Sequence, residues 1–261
     1  MTNANPVAMP IDPNVKLEPN IEEREPNRSN DYVSLIGSLQ YLTIATRPDI
    51  AYAINRLAAY NANPSFEHYN AAKHVLRYVK GTRNYGITYH DDNSRLVGPT
   101  DSNNFYGFSD ATFANTDDCK SISGYIFLLN TGAITWMSKK QAMIALSTTE
   151  AEYVTLLEAA CDVIWLRHLY GELGFIQKEP VLLLGDNDGS ISLTKNPQFH
   201  KCTKHIDLRW HWVRELVNDG LISVIDCCDP PQTADIMTKL LPRPKFVCHV
   251  NELGLSDASV V

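Results

Sequence analysis

Residues 181–186 read VLLLGD, an almost unbroken apolar run closed by a glycine and an acid. A strand without a polar face has to be covered on both sides, which in a chain with helical periodicity on either flank means a sheet between layers of helix. Both flanks have that periodicity: helices are expected over about 148 to 170, from near Ser190, and from about His205 to Asn218. Upstream, FYGFSD, SGYIFLL and AITWMSKK are strand-like and joined by turn residues around NTDDCKS and NTG, the pattern of an antiparallel meander. LISVID adds a further strand, and a last helix opens at TADIMTKLL. Strands first and then alternation with helices predict an α/β fold, a mixed five-stranded sheet flanked by helices.

A helical stretch precedes the sheet. From NDYVSLIGSLQYL onward, Tyr32, Leu35, Ile36, Leu39 and Leu42 recur at three and four, and Pro48, Asn63 and Pro64 punctuate, predicting three short helices. Before it, prolines 6, 10, 13, 19 and 26 without an apolar period predict an extended or disordered leader. The expected division is a leader over 1–28, a small helical subdomain over 29–98, the sheet domain over 99–245 and a C-terminal tail over 246–261. With 261 residues, 44% of them apolar, the chain can bury a full core. Six cysteines without a Cys-x-x-Cys pair predict reduced thiols, and the lack of a signal peptide or a run of membrane-spanning length predicts an intracellular protein, cytoplasmic or nuclear, with no membrane partner. A net charge of -7 argues against an overall basic nucleic-acid binder, although clustered acids can hold metal ions.

Two glutamates two residues apart frame the chemistry. Ser147 and Glu150 have the Ser-x-x-Glu spacing of a capping box, which gives Glu150 a structural role. Glu152 leaves the helix in the opposite direction and heads the row Leu156, Ala159, Val163 and Leu166, whereas Glu150 heads Val154, Glu158 and Asp162. A carboxylate on the apolar row is costly unless a cation or a donor meets it. Asp110 likewise shares a strand face with Tyr106 and Phe108, and Asp186 shares one with Leu182 and Leu184 at the C-terminal end of the apolar strand, where open α/β sheets place their sites. Asp235 falls in the first turn of the last helix, a favourable place for an anion. Each acid alone has an ordinary explanation as a cap, a turn residue or a surface charge. Together, four acids from four elements can converge, and divalent cations would relieve their repulsion.

The segments YGFSDATFA, SISGYIFLLNTGAITWMSKKQAMIALSTTEAEYVTL, GDNDGSISL, TKHIDLRWHWVREL and TADIMTK resemble the RNase H domain of copia-type LTR retrotransposon Pol polyproteins. The helical stretch upstream is similar to the segment that follows the reverse-transcriptase palm there, and NPVAMPIDPNVKLEP resembles the end of the palm. The resemblance implies an RNase H-like fold and hydrolysis of the RNA strand of an RNA/DNA hybrid. It implies two Mg²⁺ ions, with Mn²⁺ as a substitute, on Asp110, Glu152, Asp186 and Asp235. Asp110 is expected to bridge the ions, with Glu152 and Asp186 on one side and Asp235 on the other. The hybrid and the missing palm or other Pol parts are the expected partners. The histidine that many cellular relatives carry ahead of the last acid is absent from CDPPQT. The alternative is a catalytically inactive remnant that binds nucleic acid or serves as a structural module.

Lys201, Lys204, Arg209 and Arg214, interleaved with Trp210 and Trp212, are the expected nucleic-acid contacts. Packing is favoured for Trp210, and Trp212 is open to either role. Lys73, Arg77, Lys80 and Arg83 form a second basic cluster that either extends the hybrid track or is a solvated helix face. Tyr89, His90, Asp91 and Asp92 fit the Tyr-x-Asp-Asp pattern of reverse transcriptases, but a polar turn is the ordinary explanation and polymerase activity is not expected. His200, Cys202, His205 and His211 fit no common zinc spacing.

Overall fold

A computed structural model describes residues 4–12, 15, 17–21, 26–90, 104–195, 204–227 and 232–259, with the side chains of 26–28 and 204–210 left undescribed. Its centre is a five-stranded sheet of β2 (Phe105–Thr112), β3 (Ile122–Leu129), β4 (Gly132–Lys140), β5 (Val181–Gly185) and β6 (Ile222–Asp226), after a short β1 (Tyr85–Ile87). The order across the sheet is β4-β3-β2-β5-β6, antiparallel from β4 to β2 and parallel from β2 to β6. This is the mixed five-stranded sheet that the sequence predicted.

The apolar run over β5 is explained by its place between β2 and β6 with cover on both faces. On one face lies α4 (Thr148–Glu172), whose row Leu156, Ala159, Val163 and Leu166 packs with Phe105, Phe127 and Leu183. Helices α5 (Asp188–Lys195) and α6 (Lys204–Asn218) complete that layer, and Trp212 packs against it. On the other face, Tyr106, Phe108 and Leu184 share a core with the helical stretch α1 (Pro26–Ala45), α2 (Ala51–Ala58) and α3 (Phe66–Gly81). The first of the three expected short helices is therefore a long one. The last three leader residues, 26–28, already belong to α1; the described residues before them carry no helix or strand, yet Ile11 and Leu17 are buried in that core.

Two details depart from the sequence reading. The helix expected over TADIMTKLL is a single turn, α7 (Asp235–Thr238), because Lys239 turns extended directly after it. The stretch read as a tail instead forms α8 (Arg243–Glu252) and β7 (Leu255–Asp257), and β7 pairs antiparallel with β1. Gly254 makes that return possible, with φ of +75° and a place so close to the Thr88 and Thr131 carbonyls that a Cβ would stand 2.8 and 2.7 Å from them. A pairing of three residues across such a sequence distance leaves no local signal to read.

The turn of α7 lies directly on the sheet. Gly124 of β3, opposite Asp110 in the β2–β3 register, has no side chain to hold it off, and a Cβ there would come within 2.5 Å of Met237 Cβ and 2.6 Å of Thr238 Cγ2. The Ser138 hydroxyl of β4 donates to the Met237 carbonyl at 2.6 Å and ties the same turn to the sheet. Overpacking at such a contact costs about 1–3 kcal/mol. Gly124→Ala is expected to lose stability of that order in urea denaturation, with the far-UV spectrum retained.

Candidate metal centre

The register of parallel strands sets the site. Phe108 of β2 pairs with Leu184 of β5, so Asp110 and Asp186, each two residues further on, stand side by side where the two strands end. The α7 turn, seated on Gly124, brings Asp235 to the same place. One carboxylate oxygen from each of Asp110, Asp186 and Asp235 lies within 4.8 Å of the others. Asp110 is buried, Asp235 half-buried and Asp186 exposed, so the cluster opens to solvent on the Asp186 side.

Glu152 comes from the opposite face, at the start of α4. It is buried and accepts a hydrogen bond from the Ala111 backbone, which places its carboxyl at the end of β2 under the field of Asp110 and Asp186. Glu150, by contrast, is a cap. Ser147 Oγ accepts from the Glu150 amide at 3.1 Å, and Glu150 Oε2 accepts from the Leu146 amide at 2.7 Å, one residue further back than the Ser147 amide of the usual capping box.

The charges show strain. Burial, then the nearby Asp110 and Asp186, push Glu152 up to about 9. Burial raises Asp110 to about 6, against the lowering effect of Lys239 and Thr238, and partial desolvation of its carboxyl, with Asp235 nearby, also raises Asp186 although the residue reaches solvent. A cation answers part of this. Lys239 Nζ donates to Asp110 Oδ1 at 3.1 Å and to Asp235 Oδ1 at 2.7 Å, and the Thr238 hydroxyl donates to Asp110 Oδ2. Gln232 Nε2 donates to the Ser109 carbonyl at 2.9 Å, binding the approach to α7 onto β2. Thr238 and Lys239 close the TADIMTK segment and Gln232 directly precedes it, but nothing in their spacing marks their contacts with β2, which follow from the fold of the turn.

The expected nucleic-acid contacts fare differently. Arg214 is buried and donates from Nε to the Leu193 carbonyl at 2.8 Å, which packs α6 against α5. Lys201 lies outside the described residues; Lys204 and Arg209 fall on α6, with side chains outside them. In the second basic cluster, Arg77 and Lys80 donate to the leader carbonyls of Asn5 and Ala4 at 2.7 and 2.9 Å, and the Lys73 ammonium sits 4.1 Å from the Tyr69 ring centre. These three hold local structure. Of the Tyr-x-Asp-Asp look-alike, Tyr89 donates its hydroxyl to the Ala133 carbonyl at 2.7 Å, while Asp91 and Asp92 lie outside the described residues. So do His200 and Cys202 and the side chain of His205. Cysteines 119, 161 and 248 form no disulfide.

No protein-family model matches this chain. The Pol polyprotein of transposon TNT 1-94 from Nicotiana tabacum is 39% identical over 251 residues, 94% of this chain and 18% of that protein. The Pol polyprotein of transposon RE2 from Arabidopsis thaliana is 38% identical over 256 residues, 98% of this chain and 17% of that protein. The chain matches a C-terminal segment of copia-type retrotransposon Pol polyproteins. It spans less than a fifth of those relatives' length. LC11-RNase H1, solved in complex with an RNA/DNA hybrid, aligns with 47% of this chain and 83% of its own at 10% identity and a TM-score of 0.35. Among the described residues no helix is long and apolar enough to cross a membrane.

The raised carboxyls fix a pH dependence. An acid whose folded-state pKa lies above its unfolded value contributes stability that is full below the unfolded pKa and is lost as pH rises through the folded one. For Asp110 the loss runs up to about 6 and for Glu152 up to about 9. The metal-free chain is expected to melt at progressively lower temperature as pH rises from 6 to 9, and Glu152→Gln is expected to remove most of that decline in a thermal-denaturation series.

Proposed function

We propose that the chain is a divalent-metal-dependent endoribonuclease that cleaves the RNA strand of RNA/DNA hybrids. The observation that carries this reading is the meeting of Asp110, Asp186 and Asp235 oxygens within 4.8 Å. The donor set fits a hard divalent cation: every candidate ligand is a carboxylate oxygen, the choice of Mg²⁺ and Mn²⁺. A side-chain cation already lies against two of them, since the Lys239 ammonium bridges Asp110 and Asp235. Asp110, Asp186 and Asp235, with Glu152 beside them, would hold the ions. When bound, a Mg²⁺ pair supplies an activated water for in-line attack on the phosphodiester and neutralises the leaving oxygen.

The chain's own residues divide the remaining work. Asp110 is fixed at the centre by Thr238 and by its strand, so it holds its position when charge in the site changes. Asp186, exposed beside it, is the acid that a phosphodiester backbone entering from solvent meets first. Glu152 is held by the Ala111 backbone and, raised to about 9, keeps its proton near neutral pH until a cation draws near. Hydrolysis on the RNA strand, the pairing of ions and the association with other Pol parts rest on the family resemblance.

A second reading, an inactive nucleic-acid-binding remnant, draws on Lys239, whose ammonium meets part of the acid charge without a metal. Hybrid cleavage by the purified chain separates the two. With Mg²⁺, wild type and Glu150→Gln are expected to cleave the RNA strand, the latter losing about 0.3–1 kcal/mol of helix-start stabilisation. Asp110→Asn is expected to lose more activity than the roughly 10–100-fold that removal of an outer partner costs at a metal site. A folded wild type without cleavage favours the remnant. Cleavage lost in Glu150→Gln and kept in Glu152→Gln would reverse the roles assigned to the two glutamates.

A further inference from the structure

We propose that Lys239 is a resident counter-cation that assembles the carboxylates before metal arrives and must be exchanged for the divalent ion, so that it sets the cation affinity of the site. This rests on the metal-binding reading above and adds a positioning residue to it. The argument starts from the turn. Asp235, Thr238 and Lys239 all belong to one turn and its exit residue, and the Lys239 amide is bound to the Asp235 carbonyl at 3.0 Å. The extended backbone at Lys239, with φ of −133° and ψ of 153°, sends its side chain back over the turn. Its ammonium ends 2.7 Å from Asp235 Oδ1 and 3.1 Å from Asp110 Oδ1.

The carboxylates it joins are two of the three whose oxygens converge, so the ammonium and a divalent cation seek the same ligands. They cannot both have them at close range, because like charges a few ångströms apart in a partly buried site repel strongly. The two partners of the Lys239–Asp110 pair differ in how they can respond. Asp110 is almost fully buried and is also held by Thr238, whereas Lys239 keeps 36% of its side chain exposed. The flexible, partly solvated partner is the one that leaves. Four methylenes let the ammonium withdraw to water without moving the backbone that carries Asp235. Without metal, then, the lysine holds Asp235 against Asp110; with metal, the divalent ion takes over that task.

Isothermal titration of Mg²⁺ and Mn²⁺ into wild type, Lys239→Met and Lys239→Arg tests this apart from activity. Lys239→Met is expected to bind roughly tenfold or more tightly, since a competing charge is gone from the ligand pair. It should also melt lower than wild type in the absence of metal. Lys239→Arg, which keeps the charge, is expected to stay within about threefold of wild type. Equal or weaker binding by Lys239→Met overturns the proposal, as does tighter binding by Lys239→Arg to the same extent.

A second measurement does not depend on the methionine variant folding. In protein carrying ¹³Cε-lysine, the Lys239 resonance, assigned by its loss in Lys239→Arg, should shift as Mg²⁺ saturates the site. A resonance that stays in place through saturation overturns the exchange. Wild type that binds no divalent cation ends this inference together with the metal reading. Wild type that binds cations, shows the exchange and cleaves no hybrid ends the ribonuclease reading alone.

Discussion

Everything at the site depends on the parallel, in-register pairing of β2 with β5. Because Phe108 stands against Leu184, the next residues on that face, Asp110 and Asp186, are forced alongside each other where the strands end. An apolar face runs up both strands to that point and then stops at two acids. A slip of one residue would turn either acid to the opposite face. The apolar residues below, Tyr106, Phe108, Leu182 and Leu184, resist that slip, since it would carry them out of their core. The same packing that stabilises the sheet thus imposes the electrostatic conflict.

The rest of the structure manages that conflict. Burial on the α4 side raises Glu152 until it keeps its proton, which removes one negative charge. The α7 turn contributes a third aspartate but also a hydroxyl and an ammonium, so a single turn carries both part of the problem and part of its relief. Its seat on Gly124 is steric rather than chemical: the site is assembled by leaving out a side chain.

Much of this was legible in the chain. The meander, the buried strand, the long α4 and the opposed directions of Glu150 and Glu152 follow from periodicity, and the row behind Glu152 is buried as its spacing predicted. What periodicity cannot show is how distant segments meet. Lys239 sits within a motif of the family, but its contact with Asp110 crosses from the end of the chain to β2. Arg214 read as a surface cation because a basic residue on an amphipathic helix has the same spacing whether its alkyl stem lies on the core or in water. It is buried beside Leu193. Residues 246–261 read as a tail because β1 and β7 are three residues each and only their pairing makes them strands.

The central claim is that these acids gather because they hold divalent cations. Anomalous diffraction from crystals of the chain grown with Mn²⁺ tests it most directly. The account predicts anomalous density within coordination distance of Asp110 together with Asp186 or Asp235, with the Lys239 ammonium moved away from Asp110. Density confined to other surfaces, or none at a Mn²⁺ concentration that saturates binding in solution, would contradict it.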